Sequence, residues 1–240
     1  MKQRISEQTL PLIAFLLGCV GLLLRLALYT LEEPTGLLPE GHILHITTIL
    51  LSIATAVLML VLVRRPDKPT ANNPKVAATG AFFAGLWMLP AAFGILEQTD
   101  SRLGIFWALL SFAAVPCLIL TAWNHFKGQR PRFWANSILC LFFLAHMICQ
   151  YPLWCGNPQT EDYLLPLLAC VFLSLASYQR TVFDQQLRGR RKLLFCSLMA
   201  GFFCCCSLAG EGSKHFYLAG ALWALTNLYA AYQEDAHVSA

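Results

Sequence analysis

The residues best placed by type and spacing to do chemistry lie between Arg25 and His45, in the stretch RLALYTLEEPTGLLPEGHILH. One guanidinium, the carboxylates of Glu32, Glu33 and Glu40, and the imidazoles of His42 and His45 stand there between two strongly apolar runs. Such a set can draw an anionic group to Arg25, pair Arg25 with Glu32 or Glu40, and donate hydrogen bonds or pass protons through His45. His42 and His45 are three residues apart and so share a helix face. Further along, His146, Gln150 and Asn227 interrupt other apolar runs. Polar groups are costly in hydrocarbon unless they face the interior of a bundle or reach an interface.

Helix rise gives these residues a depth. Arg25 lies about 9 Å short of Leu31, His45 about 6 Å inside Gly41, His146 about 12 Å inside Trp154 and Gln150 about 6 Å inside it. Those four share one end of the membrane, whereas Asn227, about 16 Å in from Phe216, falls near the midplane. Asn136 belongs to the opposite end. The expectation is an outward-facing pocket where the first, second, fifth and eighth spans converge, with Arg25, Glu40, His45, His146, Gln150 and Asn227 binding a small polar or anionic solute. A plainer placement exists for each. Arg25 can snorkel to the headgroups along its aliphatic stem, His42 and His215 sit at span ends, and His146 can be a core histidine bonded to a neighbouring helix.

Several chemistries lack their residues. There is no HExxH helix, no GxS nucleophile within a span, no acidic pair of the kind used on phospholipid headgroups and no Walker loop. The ten cysteines include no CxxC pair, and a buried thiol behaves as a small hydrophobe. Cys149 with Cys155, or the Cys204-Cys205-Cys206 triplet, offers an external disulfide or a soft copper(I) site as the alternative. No cofactor is assigned. A second functional class has His45 and His146 ligating haem, and a third makes the chain a non-catalytic sensor or assembly subunit.

Composition dictates what must position these groups. The chain is 57% hydrophobic and 12% charged, with a mean hydropathy of +0.57, against about 25% charged residues in a soluble domain. Its apolar residues come in blocks of about 20, the length that a bilayer demands of a helix. The blocks are residues 9–31, 42–63, 76–96, 103–123, 133–154, 163–179, 193–209 and 216–232. The predicted fold is an all-α integral membrane protein, a single membrane domain of about eight transmembrane helices. Pro90 and Pro116 fall within spans and can kink them. Gly18 with Gly21, and Gly220 with Ala224, offer small faces for close helix contact.

Alternate connections differ in charge. One set carries Lys2, Arg4, Arg64, Arg65, Lys68, Lys75, Lys127, Arg130, Arg132, Arg180 and the cluster Arg188 to Lys192, whereas the other holds only Arg102 and Lys214 beside its acids. Cytoplasmic connections retain Lys and Arg, so both termini are expected in the cytoplasm. The net charge of +4 is then a signal of topology, with the lipid bilayer as partner and no nucleic acid. In overall look the chain is similar to multi-span bacterial proteins, which implies a bacterial cytoplasmic membrane. Reporter fusions or cysteine accessibility should place Lys68, Lys127 and Arg190 in the cytoplasm and Glu33, Gln98, Gln159 and Ser213 outside. One inverted connection would overturn the span count.

Overall fold

Lipid offers a peptide group no hydrogen-bond partner, so a chain of this composition folds into helices that satisfy their own backbone. The computed structural model describes residues 9–35, 42–64, 73–98, 102–129, 131–155, 160–186, 189–210 and 213–230. Among them are eight α-helices: α1 Leu10–Thr35, α2 Ile43–Arg64, α3 Pro74–Glu97, α4 Arg102–Phe126, α5 Phe133–Cys155, α6 Thr160–Gln186, α7 Arg190–Ser207 and α8 Lys214–Asn227. A 3-10 turn, Leu228–Ala230, follows the last. Local chemistry marks several starts. Pro74 opens α3, where its missing N–H would have had no partner in any case. Gly189, at φ +88°, turns the chain into α7. The Ser213 hydroxyl accepts the Phe216 N–H at 3.4 Å to cap α8.

Helices α3 to α8 pack in succession, and α3 returns against α8 to close a ring. Helix α1 lies against α7, with α2 touching α1 and α7. The ring is filled by aromatic side chains: Trp107 of α4, Phe142 and Phe143 of α5, and Phe216 and Trp223 of α8 are all buried. The other faces are apolar and exposed, for example Ile46, Ile49, Leu50, Ile53 and Val57 along α2 and Ile105, Phe106 and Leu109 on α4. A water-soluble monomer rarely shows apolar patches of that extent; here they face lipid.

Six helices, α1 to α6, are long and apolar enough to cross a membrane. The remaining two differ from the sequence expectation. Helix α7 has 18 residues and opens on Arg190, Arg191 and Lys192, and every residue from Cys196 to Ser207 is buried. Helix α8 has 14 residues, about 21 Å of rise, less than the ~30 Å hydrocarbon thickness. Both are wrapped by the other helices. Helix α6 also departs from expectation, running on through Arg180 to Gln186 where the sequence suggested a loop from residue 180. Arg180 and Asp184 are one turn apart and turn inward together, so these charges extend the helix. Helices α3 and α4 continue through Pro90 and Pro116.

Close approach is built on glycine. A Cβ on Gly18 of α1 would lie 2.7 Å from the Cys205 Cβ of α7, and one on Gly21 would collide with the Cys206 sulfur. A Cβ on Gly80 would collide with the Thr226 side chain, where α3 meets α8. Gly80→Val should therefore cost about 1–3 kcal/mol by overpacking, read as a lowered unfolding midpoint in detergent. Thr226→Ala in the same chain should recover part of the loss. Wild-type stability of Gly80→Val would mean that α3 and α8 do not meet there.

Candidate functional site

Arg25 sits four turns into α1 and is 1% exposed, turned into the bundle. Its Nη2 donates to the Tyr29 hydroxyl, one turn further on, at 2.6 Å, and its guanidinium carbon stands 5.1 Å from the centre of that ring. The guanidinium also lies within electrostatic reach of Cys206 on α7. His45, in the first turn of α2, is buried, its ring edge-on to His42 at 6.4 Å. Arg25 and His45 thus belong to the end of the α1, α2 and α7 group that carries the acidic connection. Glu40 lies outside the described residues.

His146 is elsewhere. Its ring stacks on Phe216 with centroids 3.8 Å apart and planes at 14°, and Trp107 meets it edge-on at 5.3 Å. It is 2% exposed and its Nδ1 has no hydrogen-bond partner. These neighbours come from α4 and α8, whereas His45 is on α2, which packs on α1 and α7. Gln150, one turn beyond His146 on α5, is half-buried. Glu40 aside, the residues expected to converge have different surroundings: Arg25 and His45 lie on α1 and α2, His146 and Gln150 on α5, and Asn227 at the end of α8. Helices α7 and α8 occupy the space between them, and Phe216 covers the face of the His146 ring.

Asn227 marks the third location. It ends α8, beside the last turns of α6 and the first turn of α5. Its main-chain oxygen, one of the carbonyls that a helix end leaves unpaired, accepts from Arg180 Nη1 at 3.3 Å. Arg180 Nε contacts Asp184 at 2.9 Å, the two side chains being 3% and 6% exposed. Asp184 also accepts from Asn136 Nδ2 of α5 at 3.0 Å. His125, in the last turn of α4, is buried with neither ring nitrogen bonded and lies within electrostatic reach of Arg180. Four helix ends, from α4, α5, α6 and α8, meet at this cluster.

Sequence reading missed Arg180, Asp184 and His125 by assigning them to connections. The signal was present in Ser177, Arg180 and Asp184, whose spacing of three and four puts polar groups on one helical face. A different feature lies on the other side of α7. Thr48, Ser52 and Ala56 of α2, Leu164, Leu165 and Leu168 of α6 and Phe203 of α7 line a groove of about 220 Å³. Both groove hydroxyls are spent on their own helix, Thr48 donating to the Leu44 carbonyl and Ser52 to that of Thr48, each at 2.9 Å. The groove is apolar in effect.

Cys204, Cys205 and Cys206 are buried free thiols. Among the described residues no group of three or more His, Cys, Asp or Glu side chains is arranged to hold a metal ion. No family model, curated protein or solved structure matches the chain. The helices themselves define the class, a multi-pass integral membrane protein.

The ion pair at the basic end yields a stability prediction. Removing one partner leaves an uncompensated buried charge, a loss of about 3–5 kcal/mol, so Asp184→Asn and Arg180→Leu should each lower the unfolding midpoint sharply. The double variant Arg180→Leu with Asp184→Leu should be more stable than either single one. Three equal midpoints would show that the pair does not hold these helix ends.

Proposed function

We propose that this protein binds, and moves, a small polar ligand carrying an anionic group, which enters the bundle from its acidic end. In this reading all eight helices cross or nearly cross the bilayer, both termini are cytoplasmic, and the acidic end faces outward, as the distribution of Lys and Arg favours. The burial of Arg25 carries the proposal. A guanidinium within an apolar span is costly, and snorkelling would relieve that cost by carrying it to headgroups and water. Arg25 instead turns toward α7 and is 1% exposed. Tyr29 fixes one edge of the planar guanidinium, and its fork geometry suits carboxylate or phosphate. His45, in the first turn of α2, adds a second hydrogen-bonding group at the same end.

A thermal-shift screen of the purified protein against soluble carboxylates and phosphate esters tests this reading. A stabilising ligand should lose its effect in Arg25→Leu, which removes the guanidinium, and retain only part of it in Arg25→Lys, which keeps the charge without the fork. Tyr29→Phe, which deletes one hydroxyl, should weaken the shift without altering the fold. A ligand whose shift is the same in all three variants would place its site away from Arg25.

A further inference from the structure

We propose that the connection between α4 and α5, at the basic end of the bundle, binds an anionic phospholipid, its headgroup at Lys127 and Arg132 and an acyl chain along the outer face of α4. This site is separate from Arg25 and does not rest on the ligand reading above. Ile119, Trp123 and Phe126 follow one another at intervals of four and three, so they form one face of α4. All three are exposed, Phe126 at 70%, on a helix long and apolar enough to cross a membrane. Lys127, four residues on from Trp123, closes that face with a cation. Tryptophan favours the boundary between hydrocarbon and water, so Trp123 sets Lys127 at the level of the headgroups.

Local structure holds both cations there. Lys127 Nζ lies 4.7 Å from the centre of the Trp123 ring, where the ring attracts the ammonium. A lysine so held gives up less rotamer freedom when it meets an anion. Beyond it the helix stops at Gly128, at φ +67°, a left-handed glycine of the kind that ends helices. The Gly128 N–H donates to the His125 carbonyl at 3.1 Å and the Gln129 N–H to that of Asn124 at 2.8 Å. The chain then reverses to Arg132, whose carbonyl accepts the Ala135 N–H at 3.1 Å as α5 begins. Arg132 and Phe133 are exposed, and α4 and α5 pack together. One tight turn therefore carries two cations between exposed aromatic rings.

The sign of the ligand follows from what surrounds them. Among the described residues at the basic end the one carboxylate is Asp184, which is buried and paired with Arg180. The exposed cations Lys75 of α3 and Arg191 of α7 have no exposed aromatic residue within one turn of their own helix. Cations alone attract any anion. Cations at the foot of an exposed apolar face favour an amphiphile, which puts phosphate on the charges and hydrocarbon on the rings.

The test is native mass spectrometry of the purified protein exchanged into equal phosphatidylglycerol and phosphatidylcholine with the same acyl chains. Wild type should retain phosphatidylglycerol about tenfold over phosphatidylcholine. Lys127→Gln with Arg132→Gln should bring that ratio close to unity, and each single change should lower it in part. Lys75→Gln with Arg191→Gln removes the same charge at the same end and should leave the ratio near its wild-type value. All four positions are exposed, where substitutions change stability little, and equal unfolding midpoints in phosphatidylcholine check the fold of each variant. Equal retention of the two lipids by wild type would overturn the proposal. So would an unchanged ratio in the Lys127 and Arg132 pair, or an equal loss in the Lys75 and Arg191 pair.

Discussion

The structure depends on the close approach of other helices to α7. Apolar helices gain nothing from leaving one apolar solvent for another, so association in lipid relies on packing and hydrogen bonds between helices. Helix α7 meets α1, α2, α6 and α8, and on its α1 side the approach is possible because Gly18 and Gly21 present no side chain to Cys205 and Cys206. Gly201 does the same for Leu225 of α8, and Gly220 of α8 for Leu173 and Cys204. Thiols suit these contacts, being small and polarizable. The density of cysteine in α7 is therefore a packing property, as is its lack of a lipid-facing surface beyond Lys192.

Two buried arginines do different work in this frame. Arg180 is neutralised by Asp184 and ties three helices through Asn136 and the α8 carbonyl. Cations favour the C-terminal end of a helix, and the Asn227 carbonyl is such an end. Arg180 thereby finishes α8. Arg25 instead hydrogen-bonds a phenol of its own helix and stands where two helices pack on α7 from outside the ring. Arg180 joins the ends of α5, α6 and α8 through hydrogen bonds, whereas Arg25 lies among α1, α2 and α7. The ligand proposal rests on Arg25 because its guanidinium is buried within an apolar span.

The helices were legible in the sequence because hydrocarbon thickness imposes a block length, and each apolar block corresponds to one helix. What the blocks conceal is which helices lie inside. A run such as Cys196 to Ser207 has the same composition whether it faces lipid or other helices, so the enclosure of α7 and α8 emerges only from packing. The residues of interest were visible for the same reason, as polar interruptions of apolar runs, and their order along each helix was recoverable from helix rise. Their rotation about the helix axis was not. His146 and Arg25 have comparable depths, but α7 and α8 stand between them. Arg180 and Asp184 were hidden by a rule that reads charge as loop, which fails when two opposite charges one turn apart cancel.

The filled ring constrains any route between the two ends. Phe142, Phe143, Phe216, Trp223 and the stacked His146 occupy the interior of α3 to α8 at close aromatic distances, so no polar path runs along the ring axis in this conformation. Opening one there would separate α8 from α5 and break stacking that the buried His146 ring cannot replace with solvent. The α1 and α2 pair is outside that ring and held mainly by α7, and its α2 edge leaves the groove over Phe203. Moving α2 against α7 disturbs a mostly apolar seam in which Thr48 and Ser52 bond their own helix and the buried Thr55 hydroxyl has no partner, and it leaves the contacts of the aromatic core in place. The easier motion is therefore at the lipid-facing edge of the bundle, beside Arg25 and His45. Under the proposed function, a ligand reaching Arg25 from the acidic end meets the protein at that edge.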